Sequence, residues 1–330
     1  METSVDHAGE AAARNRRPFG AQERERLLET HPVLMRDYTI PTPAIRDAYE
    51  IARERVWMRR TGVVFYAIPR VGKTRCAFAV CEHLQREFAT LYLTHLTLET
   101  AARSARTHLY RMILGAEHHA LRARAGPEAL ERLTAHIALR VHDRGGSQYV
   151  LLLDEMQLLG EPEYEQLLVL HNRLEHLKVR MTTIGFAQPQ ILSRRSALQA
   201  TENRQVIARF LAELVRFEGC SDREALHDIL DCFDARSEYP EGSGISYTQF
   251  FVPQAFAAGF RLASTGGSLW RALSSASANL ASCAIPMEHL CLAIHMLLLW
   301  LRQHDRPGLT LGDEEIDSVV AATHLSDFGG

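Results

Sequence analysis

Short apolar runs alternate with longer amphipathic stretches through the first two thirds of the chain. The apolar runs are rich in β-branched, leucine and aromatic residues, which is typical of buried strands. The stretches between them repeat apolar positions three to four residues apart, which is typical of helices. The predicted strands are Gly62–Tyr66, Thr90–Leu98, Tyr149–Glu155, Val179–Gly185 and Ala212–Phe217. Such alternation predicts a parallel sheet with helices on both faces and right-handed crossovers.

The helical pattern continues alone after the fifth predicted strand. The helices predicted between strands are Pro43–Arg60, Thr74–Phe88, Glu99–Leu114, Pro127–Asp143 and Pro162–Leu177, and a polar, arginine-rich stretch covers Ser193–Arg209. The later predicted helices are Asp222–Asp234, Phe250–Ser264, Ser268–Cys283, Met287–Gln303 and Asp313–His324. We therefore predict a flexible arm over residues 1–30, an α/β domain over 31–219 and a helical domain over 220–330.

The composition restricts the possible classes of protein without identifying a function. The 330 residues carry a net charge of −3, so any binding to nucleic acid must come from a local basic surface or from oligomerisation. The six cysteines lie far apart without a CxxC pair, which favours reduced thiols over a metal site. The N-terminus lacks an apolar signal region, and the apolar run Leu290–Leu301 is too short to span a bilayer. We expect a cytoplasmic protein without a membrane partner.

The most informative stretch follows the first predicted strand and reads AIPRVGKT. A buried strand, a glycine-containing turn and a helix start direct backbone N–H groups at one point, and this geometry binds phosphate. We interpret the stretch as a P-loop, in which Lys73 reaches the β- and γ-phosphates of ATP and the Thr74 hydroxyl binds Mg²⁺. The candidate nucleotide-binding residues here are Ala67, Ile68, Pro69, Arg70, Val71, Gly72, Lys73, Thr74 and Arg75.

Ala67 stands where the strict P-loop motif has glycine. Alanine adds one methyl group and tolerates many, though not all, of the backbone conformations that glycine adopts. The substitution therefore bears on the rate of ATP turnover more than on nucleotide binding. A nucleotide-binding scaffold with negligible hydrolysis is one alternative that this residue supports.

An acidic pair, Asp154 and Glu155, ends the third predicted strand. Asp154 is expected to hold Mg²⁺ through its water shell, and Glu155 to activate the attacking water beside the γ-phosphate. The alternative interpretation is a helix N-cap pair. Because the pair follows the P-loop with one predicted strand in between, we favour the catalytic interpretation.

With this extra strand between P-loop and acidic pair, the chain resembles the AAA+ ATPases, in which LLLDE would be the Walker B motif. The resemblance implies a P-loop α/β domain with a parallel five-stranded sheet in the order 5-1-4-3-2, followed by a helical lid. Within that superfamily the chain is similar to the TniB/TnsC group of transposition regulators, which is related to the IstB and ExeA types. This similarity covers roughly residues 32–284 and rests on HPVLMRDYTIPTPAI, LLLDEMQLL, TTIGFAQPQIL, VIARFLAELVRF and STGGSLWRALSSASANLA.

The resemblance implies roles for further residues. Thr183 or Gln188, at the fourth strand, would be sensor 1, which orients water near the γ-phosphate. Arg271 would be sensor 2 in the lid and would contact the nucleotide. Such a site is expected to use ATP and Mg²⁺ as cofactors.

Arg209 would be the arginine finger that completes the site of a neighbouring subunit, with Arg195 and Arg204 as alternatives. An arginine that acts in trans makes hydrolysis depend on assembly. We therefore expect a homo-oligomer, either a ring or a helical filament. A surface arginine on a helix is an equally good interpretation of Arg209.

Members of the resembled family assemble around duplex DNA, so duplex DNA is an expected partner. Each subunit of a filament adds only a few phosphate contacts, and these sum over the assembly. For any single arginine, a solvated helix face is an equally good interpretation. The candidate DNA-contacting residues are Arg103, Arg106, Arg111, Arg122, Arg124, Arg194 and Arg195.

The sequence thus favours an ATP-dependent regulator of DNA transposition. It would assemble on target DNA and link a target-selection protein to the transposase, with ATP hydrolysis resetting the assembly. The alternative is a P-loop ATPase switch in signalling or secretion that acts on protein partners without DNA.

Overall fold

The chain folds into two compact units. An α/β unit consists of Ala44–Glu218, and a helical unit combines Met1–Pro43 with Gly219–Gly330. The segment 31–43, which the sequence analysis assigned to the α/β domain, belongs to the helical unit. A computed structural model of the protein describes residues 19–99, 107–117, 128–277 and 284–329.

The helices and strands of the described residues follow the predicted alternation. The strands are β1 Gly62–Tyr66, β2 Tyr92–Thr97, β3 Gln148–Asp154, β4 Arg180–Ala187 and β5 Leu214–Arg216. The helices up to β5 are α1 Ala21–Leu28, α2 Pro32–Met35, α3 Pro43–Trp57, α4 Lys73–Glu87, α5 His108–Ala116, α6 Ala129–Asp143, α7 Glu161–His176, α8 Gln190–Ala200 and α9 Arg204–Phe210. Those after β5 are α10 Arg223–Ala235, α11 Tyr247–Phe251, α12 Pro253–Ala257, α13 Gly266–Ala276, α14 Met287–Gln303 and α15 Asp313–Ala321.

The sheet has the order β2-β3-β4-β1-β5, and every strand pair is parallel. This confirms the predicted five-stranded sheet and its order. In the register, Thr97 of β2 lies opposite Asp154, and Tyr66 of β1 lies opposite Ala187. The chain segments that follow β1, β3 and β4 therefore leave the sheet at the same edge, where parallel α/β sheets bind their ligands.

Each face of the sheet is covered by helices, as a fully buried parallel sheet requires. Val63 and Phe65 of β1 point to one face and pack with buried residues of α3 and α4, and the Phe65 ring stacks on Phe186 at 5.3 Å. Leu151 and Leu153 of β3 point to the other face and pack with α5, α6 and α7. The α4 helix is thus fixed against the sheet directly behind the P-loop.

Two stretches differ from the pattern that the sequence suggested. The arginine-rich stretch Ser193–Arg209 forms most of α8 and α9, two helices that pack on each other. The single predicted helix Phe250–Ser264 is wrong, because the chain forms α11, α12 and a separate 3-10 turn. Pro253 cannot donate a backbone hydrogen bond and displaces the residue before it from helical geometry, and Gly259 adopts a φ of 99°.

The helical unit has its own apolar core, to which α10, α13, α14 and α15 contribute. Leu297 and Leu301 of α14 are fully buried there, so this apolar helix forms part of the core. Within the part of the chain that the structure describes, α14 and every other helix are too short or too polar to cross a membrane.

His31 joins the N-terminal segment to the helical unit. Its ring is fully buried, and its Nδ1 accepts a hydrogen bond of 3.1 Å from the Val33 N–H, which caps α2. Burial, assisted by His295, lowers the pKa of His31 to about 3. Ring centroids surround the imidazole at Tyr239 (4.6 Å), Tyr247 (4.9 Å), Phe250 (4.6 Å) and Phe251 (4.8 Å).

Acid is therefore expected to weaken the helical unit through His31. The folded chain keeps this imidazole neutral, whereas the unfolded chain protonates it below its usual pKa of 6.5, so stability falls as pH drops from 6.5 towards 3. At pH 5 the loss is about 2 kcal/mol relative to pH 8. Thermal unfolding at both pH values tests this, with His31→Asn as a non-titrating cap. An equal pH effect in both proteins would contradict it.

Candidate active site

The P-loop forms the turn between β1 and α4. Arg70 and Gly72 adopt positive φ angles of 66° and 98°, the second of which suits glycine. Ala67 does not adopt a left-handed conformation, and its N–H donates to the Ala187 carbonyl over 3.1 Å, which extends the pairing of β1 with β4. The alanine at this position therefore strains no backbone, and the departure from the strict motif has no conformational cost.

Lys73, the first residue of α4, is buried within the P-loop. Its Nζ donates hydrogen bonds to the carbonyl oxygens of Ala67 (3.0 Å) and Ile68 (2.9 Å). Burial lowers the pKa of Lys73, while the carboxylates of Glu155 and Asp154 oppose that shift. The loop therefore holds an amine at the point where the helix N-terminus and the backbone N–H groups favour an anion.

Thr74 and Asp154 are brought together by α4 and the end of β3. The Thr74 hydroxyl donates to Oδ2 of Asp154 over 2.8 Å, and the Glu155 N–H donates to Oδ1 over 2.9 Å. Asp154 is buried, with 1% of its surface exposed. A hydroxyl and a carboxylate at the P-loop are oxygen ligands of the kind that Mg²⁺ takes together with nucleotide phosphates. These two residues fit a magnesium site.

We expect this pair to make nucleotide binding depend on Mg²⁺. Chelating Mg²⁺ with EDTA should weaken ATP binding by the native chain roughly 10- to 100-fold, an effect comparable to the loss of a residue that supports a metal ligand. Asp154→Asn keeps the shape of the side chain and removes its charge, so its ATP affinity should respond to EDTA much less. Titration of each protein with ATP measures the effect. An equal EDTA response in both would remove Asp154 from the metal site.

Glu155 leaves the end of β3 in a left-handed conformation, with φ of 60°. Its Oε2 accepts hydrogen bonds from the side-chain amides of Gln157 and Gln188, the latter at 3.0 Å. The carboxylate lies next to Asp154 and is close enough to Lys73 to interact with it electrostatically. A carboxylate in this position can accept a proton from a water that attacks a bound phosphate.

The two candidates for sensor 1 have different positions. Gln188 is the first residue after β4 and contacts Glu155. Thr183 lies inside β4, opposite Gly62 at the start of β1, and its hydroxyl is buried with no hydrogen-bond partner among the described residues. Thr183 is thus remote from the carboxyl ends of the strands, where the P-loop and the acidic pair lie, and its assignment as sensor 1 stays a prediction. Gln188 is the candidate that the fold brings to the site.

Arg209 lies at the opposite end of β1 from the P-loop. A Cβ atom added to Gly62 would lie 3.2 Å from the Arg209 carbonyl oxygen, and the P-loop begins five residues later, roughly 17 Å along the strand. Arg209 is half-buried on α9, and its alternatives Arg195 and Arg204 lie on α8 and at the start of α9. The backbone of Arg209 therefore lies far from the P-loop of its own subunit.

Arg271 of α13 is engaged within the helical unit. Its guanidinium pairs with Asp317 at 3.1 Å and with Asp313 at 3.4 Å, both on α15, and the hydrogen bond to Asp317 raises its pKa. About half of its side chain is exposed. Its assignment as sensor 2 stays a prediction.

The candidate DNA-contacting arginines fall into two groups. Arg111 is exposed on α5, and Arg194 and Arg195 are half-buried on α8. These helices follow β2 and β4, and both belong to the α/β unit. The remaining candidates lie outside the described residues: Arg103, Arg106, Arg122 and Arg124.

The structure also brings two residues to the site to which sequence reasoning gave no role. Gln157 was noted only as part of a resembling stretch, and its amide contacts Glu155. His95 of β2 interacts electrostatically with Asp154, packs edge-on against Phe78 at 4.7 Å, and has a buried Nε2 without a partner among the described residues. Neither spacing nor composition distinguishes His95 from an ordinary strand residue.

Comparisons with known proteins agree with this geometry. The family model described as AAA domain matches residues 57–194, which include the P-loop and the acidic pair. No curated protein matches the chain significantly. The ORC2 protein of Aeropyrum pernix, solved as ADPNP and ADP complexes, has a TM-score of 0.54 at 13% identity over 87% of this chain and 69% of its own.

A second solved structure is similar over almost the whole chain. The Drosophila ORC bound to DNA has a TM-score of 0.50 at 14% identity and covers 98% of this chain and 70% of its own. Identities this low show a common fold and no more. Together with the strand order and the matched AAA domain, they identify the fold. This chain has the AAA+ P-loop fold, and its residues 57–194 match the AAA domain model.

Proposed function

We propose that this protein is a Mg²⁺-dependent ATPase that assembles on duplex DNA and regulates DNA transposition. In this role it links a target-selection protein to a transposase, and ATP hydrolysis resets the assembly.

The observation that carries the ATPase is the position of Glu155. Its carboxylate follows the Thr74–Asp154 pair directly and is held by the amide of Gln188 at 3.0 Å. Lys73 lies in the P-loop on the same edge of the sheet. A phosphate cradle, oxygen ligands for a metal and a base for water are the parts that phosphoryl transfer to water requires. Bound Mg²⁺ would neutralise charge on the phosphates, while Glu155 takes the proton of the attacking water.

Support for action on DNA comes from two directions. The stretches that resemble the TniB/TnsC group include LLLDEMQLL and TTIGFAQPQIL, and these supply Glu155, Gln157 and Gln188 to one site. One of the structurally similar proteins was solved bound to DNA. The exposed Arg111 is a candidate phosphate contact in the α/β unit.

Retention of random-sequence duplex DNA on filters tests the proposal. With Mg²⁺ and a non-hydrolysable ATP analogue, we expect retention to rise well above the nucleotide-free level and to fall with added salt, because phosphate contacts release counterions. The Lys73→Gln variant should show no rise with the analogue. Equal retention with and without the analogue in the native chain would contradict the transposition role and favour the alternative, a switch in signalling or secretion that acts on protein partners.

Arg209 is expected to act on a neighbouring subunit. Arg209→Ala should lower ATP turnover by roughly 1,000-fold or more, as loss of an arginine finger does. Mixing this variant with Lys73→Gln should restore turnover, because the second protein still offers Arg209 to the intact P-loop of the first. Turnover of the mixture no higher than the sum of its parts would contradict action in trans. The same mixing experiment with Arg204→Ala distinguishes Arg209 from the alternative finger on the same helix.

A further inference from the structure

The side chain of Gln157 bridges two parts of the candidate site. It is buried in the 3-10 turn Met156–Leu158 that directly follows Glu155. Its Nε2 donates to Oε2 of Glu155, and its Oε1 accepts a hydrogen bond of 2.8 Å from the backbone N–H of Gln188. The Nε2 of Gln188 donates to the same Glu155 oxygen. These residues form a closed ring of hydrogen bonds between the ends of β3 and β4.

The backbone of Gln188 fixes the orientation of the Gln157 amide. A backbone N–H can only donate, so the amide oxygen of Gln157 must face Gln188 and its NH₂ group must face Glu155. The flipped amide would place donor against donor at Gln188 and acceptor against acceptor at Glu155. Each buried polar group left without a partner costs roughly 1–3 kcal/mol. The ring therefore has one stable arrangement.

Packing holds the turn that carries Gln157. The Met156 side chain is fully buried against β4, where a Cβ atom added to Gly185 would lie 2.3 Å from its Sδ. The left-handed backbone of Glu155 is uncommon for a residue with a side chain, and such conformations persist where the surroundings hold them. The position of Gln157 is thus fixed relative to β3 and β4.

The ring leaves one oxygen of the Glu155 carboxylate for chemistry. Both amides donate to Oε2, and Oε1 accepts no hydrogen bond from the described residues. With one oxygen held by N–H donors, the other can accept the proton of a water. A shift of Gln188 would pull on Glu155 both directly and through Gln157.

We propose that Gln157 is a positioning residue for ATP hydrolysis, which holds Glu155 in its water-activating orientation and couples that orientation to the backbone of Gln188. This inference rests on the proposed ATPase function. It predicts that Gln157 affects the chemical step and leaves nucleotide binding unchanged, because its amide forms its hydrogen bonds with Glu155 and with the backbone of Gln188.

Two substitutions of Gln157 test the inference with different chemistry. Gln157→Glu keeps an acceptor for the Gln188 N–H but presents a second carboxylate to Glu155, and Gln157→Met fills the same volume and removes both hydrogen bonds. In each variant we expect kcat to fall roughly 10- to 100-fold, while KM and the affinity for an ATP analogue stay within about twofold. Rates are expressed per analogue-binding site, so poor folding does not lower them.

Gln166 of α7 supplies a matched control. It is also buried, its Oε1 accepts a hydrogen bond of 3.0 Å from the Leu109 N–H, and its Nε2 donates to the Pro162 carbonyl over 3.2 Å. Gln166→Glu should therefore lower thermal stability without lowering kcat. Unchanged kcat in both Gln157 variants, or the same kcat loss in Gln166→Glu, would overturn the inference. Absence of ATP turnover in the native chain would instead refute the proposed function, and the inference with it.

Discussion

Replacing Lys73 with glutamine is expected to weaken ATP binding roughly 100-fold, because hydrogen bonds from an ammonium to phosphate are charge-assisted and several are lost together. In the structure this ammonium donates hydrogen bonds to the carbonyl oxygens of Ala67 (3.0 Å) and Ile68 (2.9 Å). Both residues belong to the loop that would receive the phosphates. The loss of affinity is attributed to the charge of Lys73, because glutamine keeps a polar end group and most of the length of the lysine side chain. Titration with a Mg²⁺-bound ATP analogue measures the change.

The chain offers a matched control for this substitution. Lys178 is its only other lysine, and it is exposed at the end of α7. Lys178→Gln removes the same charge and should leave affinity for the analogue unchanged. If both variants bind the analogue as tightly as the native chain does, the turn from Ala67 to Thr74 is not a phosphate site.

Replacing Glu155 with glutamine is expected to lower ATP turnover roughly 100- to 10,000-fold while ATP affinity stays close to native. The amide has nearly the same shape, and its oxygen can still accept from Gln157 and Gln188. It cannot take a proton from water, so only the chemical step is lost. Comparing kcat with the dissociation constant of the analogue separates the two effects.

Glu117 provides the control for this second substitution. Its carboxylate is partly buried beside β2, where it accepts hydrogen bonds from the hydroxyls of Tyr92 and Thr94. Glu117→Gln makes the same chemical change in a similar environment away from the acidic pair and should leave kcat unchanged. Equal turnover in native chain and Glu155→Gln would support the nucleotide-binding scaffold instead.

The order of the sheet could be predicted because local pattern and motif spacing agree. Each buried strand appears in the sequence as an apolar run. The P-loop follows the first of these runs and the acidic pair ends the third, so one strand lies between them. Resemblance to AAA+ ATPases then supplied the order, which the pairing of β1 with both β4 and β5 confirms. The pair Thr74 and Asp154 follows from that topology, since both lie at one edge of the sheet.

The side-chain partners of Glu155 could not be predicted from the sequence. The apolar pattern predicted that the fourth strand ends at Gly185, whereas β4 continues to Ala187. That difference places Gln188 directly after the strand and beside Glu155, whereas Thr183 lies in the interior of the strand. The ring through Gln157 depends on the left-handed backbone of Glu155, which no propensity of glutamate predicts.

Tertiary packing also decided where the N-terminal segment belongs. In sequence, residues 31–43 precede the P-loop strand, and this proximity suggested one domain. The buried His31 instead lies among aromatic rings from the far end of the chain, such as Tyr239 and Phe251. Contacts over more than two hundred residues leave no local signal in the sequence. The placement of residues 31–43 in the helical unit was therefore visible only in the fold.

The most direct test of the account is the steady-state rate of ATP turnover by the native chain, measured with and without random-sequence duplex DNA in the presence of Mg²⁺. If the site around Lys73, Asp154 and Glu155 hydrolyses ATP in an assembly on DNA, turnover will require Mg²⁺ and will rise when DNA is added. Absence of turnover with both Mg²⁺ and DNA present, at protein concentrations that allow assembly, would contradict it.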